Sequence, residues 1–385
     1  MRISSLPALH HPDQPEWRSE PHYSPSVAAA LRSAYGYMYD RPNNLAAAYK
    51  AFAIASPHVK RRMCAQQYMN LHYILAQCAR EMGEPGMVFE LLDRALERSI
   101  QLHDRRSTAE LLSISGNTRR GFMQPRAALW DLRASRAIID DLKGSEVAAE
   151  PQLELNVVFA IAGVAFFQAC YEDALPLLED AHGLHLSARN PDVERDRIAW
   201  MRAVLLRYLD RSDEALPIFL DIAGRIDAMA NPAMFTRLYG ALADAALDLA
   251  ELARDRGEDR RMLQLLSIAQ TYAIKGIERS GAEFDEGGAM LARLAIVRQS
   301  QFVEDSATRQ DIIATVWRFT ENADEPDVWT RVRLALAREY VKQGDIPSAQ
   351  NMLRQVIARS AVSEVPYTGE PAKALLRRIG GYANW

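Results

Sequence analysis

The chain has 385 residues, with 46 Lys+Arg against 50 Asp+Glu and a formal net charge of −4 spread along its length. That balance offers no concentrated basic face for a phosphate backbone, so no direct nucleic-acid binding is expected. Cys64, Cys78 and Cys170 form no CxxC pair, which argues against a disulfide framework or a cysteine-rich zinc site, and no apolar run reaches the roughly 18 residues of a membrane span.

Residues 1–25 carry Pro7, Pro12, Pro15, Pro21 and Pro25 without apolar periodicity, and the expectation is a disordered or loosely docked N-terminal tail. Ser26 then caps a helix to Tyr39, and Asn43 or Asn44 caps a second helix that ends before Pro57. Residues 58–81 form a long amphipathic run, stopped at Gly83 to Gly86 and followed by Val88, Leu92, Ala95 and Leu96 at helical spacing. Residues 108–142 read as a third hairpin, with Gly116 in its first helix and Ala128, Leu132 and Ser135 lining its second.

The fourth hairpin, 152–186, has Tyr171 at its turn before Ala174, Leu178 and Ala181; the fifth, 192–229, turns at Asp210 to Asp213 before Ala215, Phe219 and Ile222. Both second helices carry an early proline, Pro176 or Pro217, where a missing N–H costs little. The sixth, 232–277, has an alanine-rich first helix and turns at Gly257, and the seventh, 286–320, has two helical stripes without a clean turn. In the eighth, Leu334, Leu336, Ala337, Tyr340 and Val341 make one stripe, Gly344 and Asp345 break it, and Ala349, Leu353 and Val356 make another. A short helix from Pro371 to Ile379 is expected to cap the array, with residues 381–385 as a C-terminal tail and no strand anywhere.

Tyr340, Gly344, Ala349 and Leu353 fall where a tetratricopeptide (TPR) repeat has its aromatic, turn glycine, small packing residue and large apolar residue, so the chain resembles that superfamily. Equivalent positions recur about every 40–47 residues, longer than the minimal TPR unit. The longer period and the D-E-A-L-type turns look most like the TPR sensor regions of bacterial transcription regulators. The resemblance implies an all-α, right-handed α-solenoid of about eight hairpins over residues 26–380, with first helices lining a concave face.

Carried over in register, that face comprises Asn70, Tyr73, Gln77 and Arg80, then Asn117 and Arg120 with Glu110 and Ser113, then Asn156 and Phe159 with Phe166. Trp200 and Arg207 with Arg197, and Arg331 and Arg338 with Leu334, continue it. Amides suit an extended backbone, arginine suits carboxylates, and Tyr73, Phe159 and Trp200 suit side-chain pockets, so the expected partner is a protein or peptide. The two-carboxylate clamp of chaperone-binding TPR modules is not matched, since Tyr73, Gln77, Glu110 and Ile114 occupy one candidate set of positions.

No P-loop, dinucleotide fingerprint or GxSxG motif occurs, and His182 and His185 at i, i+3 lack a third ligand. The expectation is therefore a non-enzymatic, cytoplasmic protein with no cofactor and no metal, and with homo-oligomerisation open. The primary functional expectation is a regulatory scaffold or sensor that binds a partner in its concave face. A structural subunit of a larger bacterial complex is one alternative. A receptor similar to the peptide-pheromone receptors of Gram-positive bacteria is the other, motivated by Asn70, Asn117 and Asn156.

Overall fold

The computed structural model describes residues 85–380 apart from 123, 145–150, 189, 227–236, 283–285, 304–305, 323–325 and 363–365, together with isolated positions before residue 85. The tails, the first expected hairpin and most of residues 58–81 lie outside the described residues. Among those described, regular structure is entirely helical, with 14 α-helices and a 3-10 turn at His185–Ser187. The fold is a TPR-like all-α solenoid of about 7 hairpins ending in a capping helix.

Helix α1 (Pro85–Gln101) is followed by the hairpins α2 (Arg105–Gly121) with α3 (Pro125–Leu142), and α4 (Pro151–Phe167) with α5 (Tyr171–Leu184). Next come α6 (Pro191–Tyr208) with α7 (Ser212–Ile226), and α8 (Leu238–Asp255) with α9 (Asp259–Ala282). The chain closes with α10 (Glu286–Val303) and α11 (Ser306–Asn322), α12 (Pro326–Lys342) and α13 (Ile346–Val362), and α14 (Pro366–Arg378). It forms two compact units, residues 1–122 with 127–157 and residues 123–126 with 158–385. The capping helix starts at Pro366, earlier than the Pro371 start read from the sequence. Pro371 lies inside it and cannot supply the backbone bond to the Tyr367 carbonyl, a loss tolerated because buried Tyr367 and Thr368 anchor the first turn.

The turns share one device. At Gly344 (φ 80°), the Gly344 N–H donates to the Val341 carbonyl at 3.1 Å and the Asp345 N–H to the Tyr340 carbonyl at 2.9 Å, closing α12 with a Schellman motif. Gly257 (φ 71°) repeats it after α8, with Glu258 N–H to Ala253 at 2.8 Å. The same bonds recur without glycine at His103, Ala169 and Asp210, whose φ values are 55°, 59° and 57°. Asp345 also caps α13, accepting from the Ser348 N–H at 3.2 Å, as Asp104 caps α2 by accepting from Ser107 at 3.0 Å.

Stacking is set by small residues. Ala128, Ala174, Ala215 and Ala349 are all 0% exposed, as the repeat register requires. At Gly116 a Cβ would sit 2.6 Å from Leu132 Cγ and 3.0 Å from the Ala128 carbonyl oxygen, so α2 and α3 touch there backbone to side chain. In the second unit, a Cβ on Gly276 of α9 would meet that of Ala292 on α10 at 3.0 Å, beside Gly240 of α8. Around these crossings Phe219, Ile222, Leu238, Leu242 and Leu247 form a core from which water is excluded.

Gly116→Ala is expected to destabilise the fold by about 1–3 kcal/mol through overpacking, measured as the shift of a urea unfolding midpoint. Ala169→Gly is expected to do the opposite, raising stability by up to about 1 kcal/mol because the left-handed backbone no longer carries a Cβ, read from the same titration.

Candidate functional site on the first helices

Within the second unit, α6 packs on α8, α8 on α10, α10 on α12 and α12 on α14. The series returns on itself through an aromatic cluster. Tyr367 at the start of α14 lies 4.9 Å from Phe166 at the end of α4 and 5.9 Å from Tyr208 at the end of α6, ring centre to ring centre. Phe166 also meets Tyr208 edge-on at 5.1 Å, and Tyr171 meets Tyr208 at 5.3 Å. Each such contact adds about 0.5–1.5 kcal/mol beyond burial, and together they join helices roughly 160–200 residues apart in the chain, so the first helices of this unit enclose a shared inner face.

That face is charged. On α8, Asp244, Asp248 and Glu251 form one acidic stripe, and it is gripped from both sides. Arg207 of α6 reaches Asp248 with Nε at 2.7 Å and Asp244 with Nη1 at 3.3 Å. Arg298 of α10 reaches Asp244 at 3.2 Å, Asp248 at 2.9 Å and Glu251 at 3.2 Å. The Ser212 hydroxyl donates to Asp248 at 3.2 Å, and Lys342 of α12 lies 3.6 Å from Glu251.

Burial alone would raise the Asp248 carboxyl, but Arg207 and Arg298 outweigh it and hold the group below the ordinary carboxylate range. The same carboxylates outweigh burial at Arg207 and Arg298 and keep both guanidiniums charged. Arg338, one helical turn before Lys342, differs. It is exposed, and among the described residues it has no hydrogen-bond or ion-pair partner. Crowding by protein and then the like charges of Arg298 and Arg207 disfavour its charged form, with Asp248 only partly offsetting them.

Several of the expected site residues are placed by the structure, and others fall outside it. Asn70, Tyr73, Gln77 and Arg80 lie outside the described residues. Asn117 and Arg120 are half-buried on α2, where the Asn117 amide donates to the Ser113 carbonyl of its own helix at 3.1 Å. Asn156 on α4 accepts from the Gln152 amide at 3.2 Å. These belong to the first unit, and the remainder belong to the second.

Phe159 is buried, with the Arg197 guanidinium stacked 4.2 Å from its ring centre and held in turn by Glu194 at 3.0 Å. It therefore forms the floor beneath Arg197. Trp200 packs against the core of the second unit, Arg207 enters the ion network, and Arg331 precedes Arg338 by two turns on α12. Of the expected set, Arg207 is the residue the structure places in the ion network, through Asp244 and Asp248.

The sequence reading did not include Asp244, Asp248, Glu251, Arg298 or Lys342. A signal was present, because Asp244, Asp248 and Glu251 recur at i, i+4, i+7 along the otherwise alanine-rich α8. His182 and His185 stack with ring centres 4.5 Å apart at the end of α5, and among the described residues no group of three His, Cys, Asp or Glu gathers as a metal site would require. No helix of the described residues is long and apolar enough to cross a membrane.

No protein-family model matches the chain, and no curated protein matches it. Solved structures share its fold. A Rap protein complexed with competence and sporulation factor superposes with a TM-score of 0.60 at 12% identity, covering 91% of this chain and 90% of its own. Aspartyl phosphate phosphatase F from Bacillus subtilis gives 0.57 at 13% identity, covering 96% and 88%. The TPR sensor-containing STAND signal-transduction ATPase from Pyrococcus horikoshii gives 0.54 at 11% identity, with 92% of this chain and 50% of that one. The chain is thus a TPR-like helical solenoid of the architecture seen in Rap proteins and TPR sensors, without singling out the transcription-regulator type.

The expectation that the chain is not an enzyme does not survive as a general exclusion, because an aspartyl phosphate phosphatase is built on this same fold. Short motifs report only on chemistry carried by a contiguous loop, and groups assembled across separate helices leave none.

Because the folded Asp248 is depressed below the ordinary value of 3.8, its contribution to stability is complete above about pH 4 and is lost as pH falls through the folded value. Chemical unfolding measured from pH 6 downward is expected to show wild type losing stability relative to Asp248→Asn below that point, so the gap between them narrows in acid.

Proposed function

We propose that this chain is a regulatory receptor for a short peptide, taken up along the inner face of the first helices of its second unit. The observation that carries the reading is the paired charge network on α6, α8, α10 and α12, rigidly held yet lining a partly open face that also presents the exposed Arg338. A preorganised wall of this kind lowers the ordering cost of binding an extended segment. The fold, shared with a Rap protein solved in complex with competence and sporulation factor, supports a signalling receptor over a passive scaffold. Trp200 and Arg331 would contribute side-chain contacts within the second unit.

The test begins with protein purified from its native host, denatured, and analysed for released small peptides by mass spectrometry. A short peptide is expected, and its re-addition to wild type should be detectable by calorimetry. Trp200→Ala is expected to weaken that binding at least about tenfold, as loss of an aromatic anchor does. A folded protein recovered in stoichiometric amount, with no peptide, would instead favour the structural-subunit reading.

A further inference from the structure

We propose that Arg333 and Arg359 form a binding site for a dianionic phosphate group at the junction of α11, α12 and α13, supplied either as free phosphate or as a phosphorylated side chain of a partner protein. The site is separate from the inner face and stands whether or not that face takes a peptide. On α12, Trp329 and Arg333 lie one turn apart on the side facing α11 and α13, roughly opposite to Arg331 and Arg338.

Four side chains from three helices gather there. The Arg333 guanidinium carbon lies 4.9 Å from the centre of the Trp317 ring and 4.5 Å from that of Trp329, and the Arg359 carbon lies 4.6 Å from the Trp329 ring. Sharing one ring, the two cations stand within about 9 Å of each other. The indoles are oriented by bonds of their own. Trp329 Nε1 donates to the Thr320 carbonyl at 3.0 Å, and Trp317 Nε1 to the Glu321 carboxylate at 3.2 Å.

What the cluster lacks is an anion on its guanidiniums. Among the described residues, neither Arg333 nor Arg359 has a carboxylate within ion-pair distance. Arg333 is 8% exposed, donates from Nη1 to the Gln355 side-chain oxygen, and has a buried Nε with no acceptor among the described residues. A charged group removed from water to that degree is ordinarily paired, and a buried donor without an acceptor is destabilising. The indole faces offset part of that cost but accept nothing in the guanidinium plane. Burial, and then the like charge of Arg359, hold the Arg333 guanidinium below its ordinary range, with exposed Glu321 only partly offsetting them. Arg359 is half-buried at the solvent edge, so its guanidinium can swing to meet an anion held by Arg333. Two cations on one ring call for two negative charges, which a phosphate dianion carries and a carboxylate does not, and its oxygens match the guanidinium forks.

The test titrates the full chain, in chloride buffer at constant ionic strength, with inorganic phosphate, with N-acetyl-O-phosphoserine amide and with acetate, each followed by calorimetry. Wild type is expected to bind at least one phosphate probe saturably and at least about tenfold tighter than acetate. Tighter binding of inorganic phosphate identifies the free ion as the ligand, and tighter binding of the phosphoserine probe identifies the side chain. Arg359→Gln is expected to weaken the binding about ten- to hundredfold, and Arg359→Lys to keep part of it, since lysine retains the charge but not the fork.

A melting experiment separates a ligand site from a staple between helices. Phosphate is expected to raise the melting temperature of wild type and to leave that of Arg359→Gln unchanged. The proposal is overturned if wild type binds neither phosphate probe better than acetate, or if Arg359→Gln binds phosphate, or is stabilised by it, as wild type is. Either result marks the two arginines as structural.

Discussion

The structure depends on how closely neighbouring helices can approach. One helical hairpin cannot cover its own apolar faces, so the array is stable only where the next hairpin comes near enough to exclude water. Gly116 against Leu132 is a contact in which a single added carbon has no space, and Gly276 against Ala292 is one in which it would fit only if its neighbour gave way. The alanines at 128, 174, 215 and 349 serve the same need with one methyl group each, all without solvent exposure. Larger residues such as Phe219 and Leu132 then fill the remaining volume.

Close stacking has a consequence for the first helices. With spacing fixed, residues at the same height on successive first helices come within hydrogen-bond range, and α8 becomes a shared acidic element for both of its neighbours. Asp248 accepting from Arg207 on one side and Arg298 on the other is possible only at that spacing. Partly buried ion pairs like these contribute little net stability over an apolar alternative, since desolvation offsets attraction. Their physical role is to hold geometry, giving a wall whose dipoles and charges need not reorganise when a ligand arrives. The aromatic cluster around Tyr367 does comparable work at the ends of α4 and α6, tying the capping helix to the start of the unit.

Turn chemistry shows a different balance. Gly257 and Gly344 adopt the left-handed conformation at little cost, whereas Ala169 and Asp210 adopt it with a Cβ present. The backbone bonds are the same in both cases, so the hairpin geometry demanded by stacking overrides the local preference of the residue. This explains why a glycine marks the sixth and eighth turns in the sequence while the fourth and fifth, read at Tyr171 and at Asp210 to Asp213, carry none.

Apolar periodicity alone determined the helical class, the hairpin order and the small stacking residues, because a period near 3.6 and a recurring Ala or Gly are local properties of the chain. Periodicity also located Arg207 and Arg338 on first helices, since register follows from the turn. It could not show that Arg207 is held by α8 while Arg338 has no such partner, nor that Phe159 lies beneath Arg197. Asp244, Asp248 and Glu251 were visible as a stripe, yet an acidic stripe on a helix is ordinarily a solvated face. Only the tertiary structure decided otherwise, because pairing among Arg207, Asp248 and Arg298 depends on distances between helices more than 40 residues apart in sequence, which stacking sets and the linear order of residues does not contain.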